Sequence, residues 1–559
     1  MGEDGERFEI HLQGDGGWVL GRVFDDARPA VAEAKRLMAS GRHHAVRVLR
    51  SGGRRPGRPA ERIVFEEEQR ARKWRIDADA AARPLCRSPA DIRDGPGLAA
   101  LGAALRDYLD WRGITAIELV YNHGHCRRLS LYDSLLYRAI GLIAAAQARE
   151  SGGSTRTRRR TLDGICRKAV RQAREACSDE SLPNLEEGGL EAAIATLKET
   201  VDDETGDYLV HTAIANHLVD ARDWAEKLAR LVGLLGPEPS PAALGPVDAF
   251  IADLMRSARA VRDLLRDDDA QLASVLDDLA RLHSGRFAPH EQQAAALAEL
   301  NRLLAEGRLP ASRSEIAAQI VRGLAADRPL TRGGPADEIA ALYRLVGHLR
   351  DEQGRFLGDE AMWAAVESRS RRQMQPEFDT VLAAVKSPRE RIGMLLDVAD
   401  FAFGRESLTF ILEGLGEVID LARATQTLIV ADEPVLEQLR ALAGWQARVL
   451  DLEPSVPAAE ACAKRLDAAA FETMEAHRIL DGPDGADEGV VARIERLTAL
   501  CRSGAVTRGR AFEATRERIL GLVQAPGFMD AYTADARTDE DRNERIRELW
   551  RILRDAGLA

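Results

Sequence analysis

The segment IRELWRIL, residues 546–553, carries apolar side chains at steps of three, four and seven: Ile546, Leu549, Trp550 and Leu553. This spacing lines up one face of an α-helix. Residues 490–501 and 512–522 repeat the pattern, with stripes formed by Val490, Ile494, Leu497, Cys501 and by Phe512, Thr515, Ile519, Leu522. Nearly every segment from residue 98 onward has similar spacing, which predicts a mainly α protein, arranged as an irregular multi-helix bundle or an array of helical hairpins.

The composition agrees with this prediction. Aromatic residues make up only 5% of the 559 residues, and alanine and leucine are abundant. Alanine and leucine favour helices, whereas strands prefer β-branched and aromatic side chains. The apolar fraction of 45% is sufficient for a sizeable core.

The first 76 residues follow a different pattern. Residues 8–12 and 18–23 alternate with period two around a glycine-rich turn, and residues 28–39 have helical spacing. Two more short apolar runs follow, at residues 46–48 and 63–65. We therefore expect a small ββαββ α/β module, in which Trp18 is a core residue rather than part of a binding surface.

Proline and glycine mark the expected boundaries. Residues 77–97 contain Pro84, Pro89, Gly95, Pro96 and Gly97 and are predicted to be a linker between the module (1–76) and the helical part. Breaks near residues 236 and 358 divide the rest into helical blocks at 98–235, 236–357 and 358–559. Within the second block, Ser312 and Glu315 have the spacing of a capping box.

The charge is unevenly distributed. The net charge is −12, but residues 1–177 carry 33 Lys and Arg against 23 Asp and Glu, so the remainder carries −22. The most basic segment starts after a Gly/Ser loop at 151–154, with a cluster at Arg156, Arg158, Arg159 and Arg160. If residues 161–177 form a helix, its basic face consists of Arg160, Arg167, Arg171 and Arg174, and the opposite face is apolar, with Leu162, Ile165, Ala169 and Ala173.

Such a face could bind an acidic protein surface, neutralise nucleic-acid phosphates, or simply be solvated or paired within the protein. We favour an acidic protein surface over nucleic acid, because this segment has few aromatic residues for base stacking and no known nucleic-acid-binding motif. The loop between the third and fourth strands, with Arg54, Arg55 and Arg58, is a second candidate for contact with a partner.

Common catalytic patterns are absent from the sequence. No lysine follows a glycine, which excludes the standard P-loop, and neither G-x-S-x-G nor Glu-x-x-His occurs. The residues 123–126, His-Gly-His-Cys, come closest to a metal cluster, but two arginines follow at once. We therefore expect no metal and no cofactor, and lean against an enzyme. The glycines Gly414 and Gly416 are attributed to close helix packing.

The sequence thus favours a non-enzymatic adaptor, scaffold or regulatory protein that acts through protein–protein interaction. One alternative is a ligand sensor or enzyme with a pocket between helical blocks, using His211, His217 or residues 123–126. The other is a nucleic-acid-binding protein using residues 156–174. With no C-x-x-C pair, signal peptide or membrane-length apolar run, we expect a soluble cytoplasmic protein. A homodimer is possible, although no sustained heptad repeat indicates one.

Overall fold

The structure is a computed structural model of the 559-residue chain. It describes residues 7–14, 17–39, 45–51, 62–68, 74–82, 84–130, 133–265, 271–288, 294–428, 433–452, 456–482 and 489–558. The chain is mainly helical, with a four-stranded antiparallel sheet near its N-terminus, which confirms the predicted fold class.

The N-terminal module consists of β1 (Arg7–Gly14), β2 (Gly17–Phe24), α1 (Ala27–Ala39), β3 (Ala45–Ser51) and β4 (Arg62–Glu68). The strands lie in the order β2-β1-β3-β4, and every neighbouring pair is antiparallel. Alternate side chains of β1 and β3 pack against α1, because successive residues of a strand point to opposite faces. This small core contains Phe8, Ile10, Val46, Val48, Ala30, Ala34 and Met38.

Trp18 lies outside that core, so the expectation of a core tryptophan is wrong. Its side chain is half-buried, and the guanidinium carbon of Arg47 lies 4.3 Å from the centre of its ring. An indole stacked against a guanidinium keeps its apolar faces partly covered without entering a closed core.

The chain separates into two compact units, which are residues 1–270 with 274–320, and residues 271–273 with 321–559. The proline and glycine breaks in the sequence predict domain boundaries at other places, near residues 236 and 358. The helices that begin in the first unit are α2 (Ala78–Ala82), α3 (Pro89–Arg93), α4 (Gly95–Ala104), α5 (Arg106–Arg112), α6 (Ala116–Tyr121), α7 (His123–Ser130), α8 (Asp133–Ser151), α9 (Thr155–Cys177), α10 (Leu185–Thr200), α11 (Asp203–His217), α12 (Trp224–Gly233), α13 (Pro241–Met255), α14 (Ala258–Leu265), α16 (Ala294–Ala305) and α17 (Pro310–Ala325). Helix α15 (Leu272–His283) begins at the boundary between the two units.

The segment 77–97 is not an open linker. It contains α2 and α3 and the start of α4, and the side-chain amide of Gln147 in α8 donates hydrogen bonds to the carbonyls of Ala82 and Pro84, both at 3.0 Å. Proline and glycine suggested a linker, but Pro89 and Pro96 lie in the first turns of α3 and α4. A proline is well tolerated there because its missing N–H would have no helical partner.

The start of α17 also differs from the expected capping box. The helix begins at Pro310, so Ser312 lies inside its first turn and is fully buried. The carboxylate of Asp248 in α13 accepts hydrogen bonds from the backbone N–H groups of Ala311 and Ser312, both at 2.8 Å. A side chain from another helix therefore satisfies the free N–H groups at the start of α17.

The second unit contains the helices α18 (Pro335–His348), α19 (Glu360–Ala384), α20 (Pro388–Ala399), α21 (Arg405–Ala424), α22 (Val435–Leu452), α23 (Pro457–Ala476), α24 (Val490–Arg502), α25 (Gly509–Val523), α26 (Phe528–Tyr532) and α27 (Asp539–Asp555). Helices adjacent in sequence, such as α20 with α21 and α22 with α23, pack on one another, and so do helices two apart, such as α19 with α21 and α21 with α23. Together they enclose a continuous apolar core.

Gly414 and Trp550 differ in how well their sequence patterns predict their surroundings. A methyl group added at Gly414 in α21 would lie 2.4 Å from the ring of Phe378 in α19, so close packing explains this glycine. In α27, Leu549 and Leu553 are buried, whereas Trp550 is 56% exposed and does not belong to the core as its spacing suggested.

Candidate functional site

The basic segment forms α9, a helix of 23 residues that starts earlier than the predicted 161–177. The hydroxyl of Ser154 accepts a hydrogen bond at 3.4 Å from the N–H of Thr157, which caps the helix start. Because α9 begins at Thr155, the cluster from Arg156 to Arg160 is part of the same helix as the downstream arginines. The helix is therefore about 35 Å long.

One side of α9 is buried and the other is open. The buried side chains are Leu162, Ile165, Ala173 and Ala176. The exposed basic side chains are Arg156, Arg160, Arg167, Lys168, Arg171 and Arg174. The structure thus places Arg160, Arg167, Arg171 and Arg174 on an exposed face opposite the apolar contacts, and we call these four residues the basic face.

Few carboxylates oppose this charge. Within α9, eight basic residues stand against Asp163 and Glu175. A single ion pair forms on the basic face in the part of the chain described, between Arg167 and Asp163 at 2.6 Å. For Arg156, Arg160, Arg171 and Arg174, no carboxylate among the described residues lies within 4.0 Å. Exposed, unneutralised guanidinium groups retain their capacity to bind an anion.

Two of the predicted partner-binding arginines have a different role. Arg158 points to the buried side, where its Nη2 donates to the carbonyl of Cys86 at 3.0 Å and its Nε donates to the amide oxygen of Gln147. Arg159 lies over the ring of Tyr137 in α8, with its guanidinium carbon 3.7 Å from the ring centre. Both residues hold α9 against neighbouring elements. The other predicted contact, at Arg54, Arg55 and Arg58, falls outside the described residues.

A small apolar cavity of about 80 Å³ lies beneath α9. Leu162 and Cys166 of α9 form one wall, and Leu136 and Ile140 of α8 form another. Burial raises the pKa of the Cys166 thiol to about 11, so the thiol is neutral at physiological pH. No local sequence pattern predicts this cavity, because its lining comes from five helices, α2, α3, α4, α8 and α9, and carries no motif.

The histidine candidates are held in structural contacts. His211 stacks on Tyr121, with ring centres 4.9 Å apart, and its Nδ1 donates to the carbonyl of Asp207 at 2.8 Å. His217 is partly buried, and desolvation, followed by the positive charge of Arg230, lowers its pKa. Neither arrangement joins a histidine to a nucleophile.

Residues 123–126 lie at the start of α7. His125 is buried, and neither ring nitrogen has a hydrogen-bond partner in the structure as described. Desolvation, with smaller effects from Lys227, Arg128 and Arg112, lowers the pKa of His125 to about 3. The Cys126 thiol donates to the carbonyl of Leu119 at 3.0 Å. Across the described ranges, no group of three or more His, Cys, Asp or Glu side chains could hold a metal ion.

No single helix in the described ranges has both the length and the apolar character to cross a membrane. Two consecutive helical segments, joined by a bend of 89°, together have the length and apolar composition of such a helix; they are His123–Ser130 and Leu135–Ser151.

Comparison with known proteins leaves the family open. No protein-family model and no curated protein matches the chain. Among solved structures, the chain is similar to a protein described as a circular tandem repeat protein with novel repeat topology and enhanced subunit contact surfaces. That match is 15% identical, covers 86% of this chain and 96% of the other, and has a TM-score of 0.20. A TM-score this low supports no conclusion about fold or function.

Proposed function

We propose that this protein is a non-enzymatic cytoplasmic adaptor or scaffold, and that it binds an acidic protein surface through the basic face of α9. The observation that carries the proposal is the exposure of Arg160, Arg171 and Arg174 on one side of a firmly anchored helix, without an intramolecular carboxylate partner among the described residues.

The geometry suits a protein partner that presents carboxylates in a row. Arg160 and Arg174 are fourteen residues apart, so the basic face extends over about 21 Å of helix. Each guanidinium can bind a carboxylate through two parallel hydrogen bonds, which gives orientation as well as attraction. Within the helix itself, Arg167 binds the carboxylate of Asp163 through one hydrogen bond of 2.6 Å.

The anchoring of α9 supports the same function. Arg158 and Arg159 tie the start of the helix to Gln147 and Tyr137, and the apolar side is buried along its length. A rigid helix loses little conformational freedom on binding, which favours affinity. Tyr137 is 64% exposed, but Arg159 already covers one face of its ring, which disfavours its use for stacking a nucleic-acid base.

The test is charge reversal on the basic face. We expect that replacing Arg160, Arg171 and Arg174 by Glu will abolish capture of a specific protein partner from nuclease-treated native lysate. The matched control reverses Arg547, Arg551 and Arg554 of α27, which are also exposed and change the net charge equally. This control variant should capture the partner as the wild type does, and both variants should keep the wild-type circular dichroism spectrum.

The identified partner then serves as the probe. Binding of the purified partner should weaken as salt rises, because exposed charges are screened within about 10 Å at 0.1 M ionic strength. Equal binding by the α9 variant and the wild type would contradict the proposal. Capture that disappears with nuclease would instead support the nucleic-acid alternative.

A further inference from the structure

The second unit contains a pocket of about 180 Å³ formed by α18, α19 and α20. Its walls are largely apolar and include Ile339, Val398, Met394 and Phe401. Met394 and Phe401 are also partly exposed, so the pocket opens to solvent on their side. For scale, an engineered apolar cavity of about 150 Å³ in another protein binds benzene, so this pocket has room for a ring or a branched alkyl group.

Two carboxyl groups line this pocket, Glu377 and Asp397, and only that of Glu377 is buried. Glu377 of α19 is only 8% exposed, and its Oε2 atom is buried without a hydrogen-bond partner in the part of the chain described. Burying a carboxylate without a donor or a counter-ion is costly, and such groups normally have a partner. Burial raises the pKa of Glu377, as expected for a carboxyl group without compensation.

The neighbouring charged groups are already paired. Arg369 donates to the carboxylate of Glu338 at 3.1 Å and to the carbonyls of Ala326 and Arg328. One turn before Glu377, the amide nitrogen of Gln373 also donates to Glu338 at 3.1 Å, whereas its amide oxygen is buried without a partner among the described residues. At the rim of the pocket, the carboxylate of Asp397 accepts from Arg448 at 2.7 Å. Glu377 is therefore the one pocket carboxylate for which the described residues supply no donor.

We propose that this pocket binds a small organic cation, a primary ammonium group attached to an apolar body of about six heavy atoms. The ammonium group would donate to Glu377, and the apolar body would lie against Ile339, Met394 and Phe401. A metal ion would require several oxygen ligands, which Glu377 alone does not supply. Phe401 adds an aromatic surface, which attracts cations as well as apolar groups.

The experiment compares benzylammonium with benzyl alcohol, which has nearly the same shape and no charge. The full-length protein carries methionine labelled with ¹³C at the methyl group, and Met394→Leu identifies the Met394 signal among the eight methionines. Titration with benzylammonium should shift the Met394 signal, with an affinity at least tenfold higher than that of benzyl alcohol.

The variant Glu377→Gln should remove this preference, so that the two compounds bind equally weakly. The matched control is Glu417→Gln, an exposed glutamate in α21, which should keep the wild-type preference. No Met394 shift at millimolar benzylammonium, equal binding of the two compounds by the wild type, or an unchanged preference in Glu377→Gln would each overturn the proposal. The wild-type comparison stands even if Glu377→Gln fails to fold.

Discussion

Replacing Lys227 by Met should destabilise the first unit, because it removes the counter-ion of a buried carboxylate. The ammonium group of Lys227 in α12 forms an ion pair with Oε1 of Glu118 in α6, and both side chains are almost completely buried. Oε2 of Glu118 accepts hydrogen bonds from the backbone N–H and the hydroxyl of Thr115, at 2.8 and 2.9 Å. Lys227 is therefore the charge that balances Glu118.

The expected penalty follows from the carboxylate that is left without a counter-ion. Breaking a buried ion pair by removing one partner typically costs about 3–5 kcal/mol. Glu118 would keep its hydrogen bonds from Thr115 but lose its only described positive partner, so we expect the loss in Lys227→Met to lie in this range.

Hydrogen–deuterium exchange measured by mass spectrometry is the appropriate assay, because a chain with two units need not unfold in one step. Peptides that cover Ala116–Tyr121 and Trp224–Gly233 report the opening free energy at the ion pair. The matched control is Lys198→Met, since Lys198 is an exposed lysine in α10 of the same unit. The double variant Glu118→Gln with Lys227→Met should recover most of the loss at pH 7.

A loss in Lys227→Met no larger than that in Lys198→Met would refute this account. A double variant no more stable than Lys227→Met would also refute it, because lost packing rather than the uncompensated carboxylate would then be the cause.

Two further substitutions test other buried features. Lowering the pH from 6.5 to 4.5 should cost the wild-type first unit about 2.3 kcal/mol through His125, because a folded-state pKa near 3 lets the unfolded chain bind the proton first. His125→Leu should lack this contribution, and an unchanged pH slope in the exchange of peptides around α7 would contradict it. In the second unit, Gly414→Ala should lower the urea unfolding midpoint, because the clash with Phe378 costs about 1–3 kcal/mol. The control is Gly444→Ala in α22, where the new methyl group has open space around it. This substitution should raise the urea midpoint, because alanine favours a helix over glycine by about 1 kcal/mol. Equal effects of the two substitutions would exclude close packing as the reason for Gly414.

Periodic patterns in the sequence predicted the fold class, the ββαββ module and the two faces of α9. These features depend on side chains that are close together in the sequence, and such spacing is visible without a structure. Helical geometry also predicts that Arg158 faces the buried side of α9, once the helix is known to begin at Thr155. The predicted helix begins at residue 161, six residues later, which is why the prediction includes Arg158 among the partner-binding residues.

Features that depend on distant contacts were missed. The start of α17 depends on Asp248, more than sixty residues earlier, and the local Ser312–Glu315 pattern suggested the wrong cap. Trp550 has the spacing of a core residue, yet the neighbouring helices cover only Leu549 and Leu553. The pocket around Glu377 combines three helices, and a lone glutamate in a helical segment carries no local signal.

The contact between Asp248 and the start of α17 also constrains the order in which this part of the chain can become ordered. Helix α13 leaves the ribosome well before α17, so the Asp248 carboxylate, which accepts the hydrogen bonds, is already outside when Ala311 and Ser312 emerge. A fragment that begins after Met255 would contain all of α17 but not the group that satisfies its first N–H groups. Such a fragment should fray at Pro310–Ser312, and a fragment boundary chosen from helix limits alone would therefore remove part of the helix it was meant to preserve.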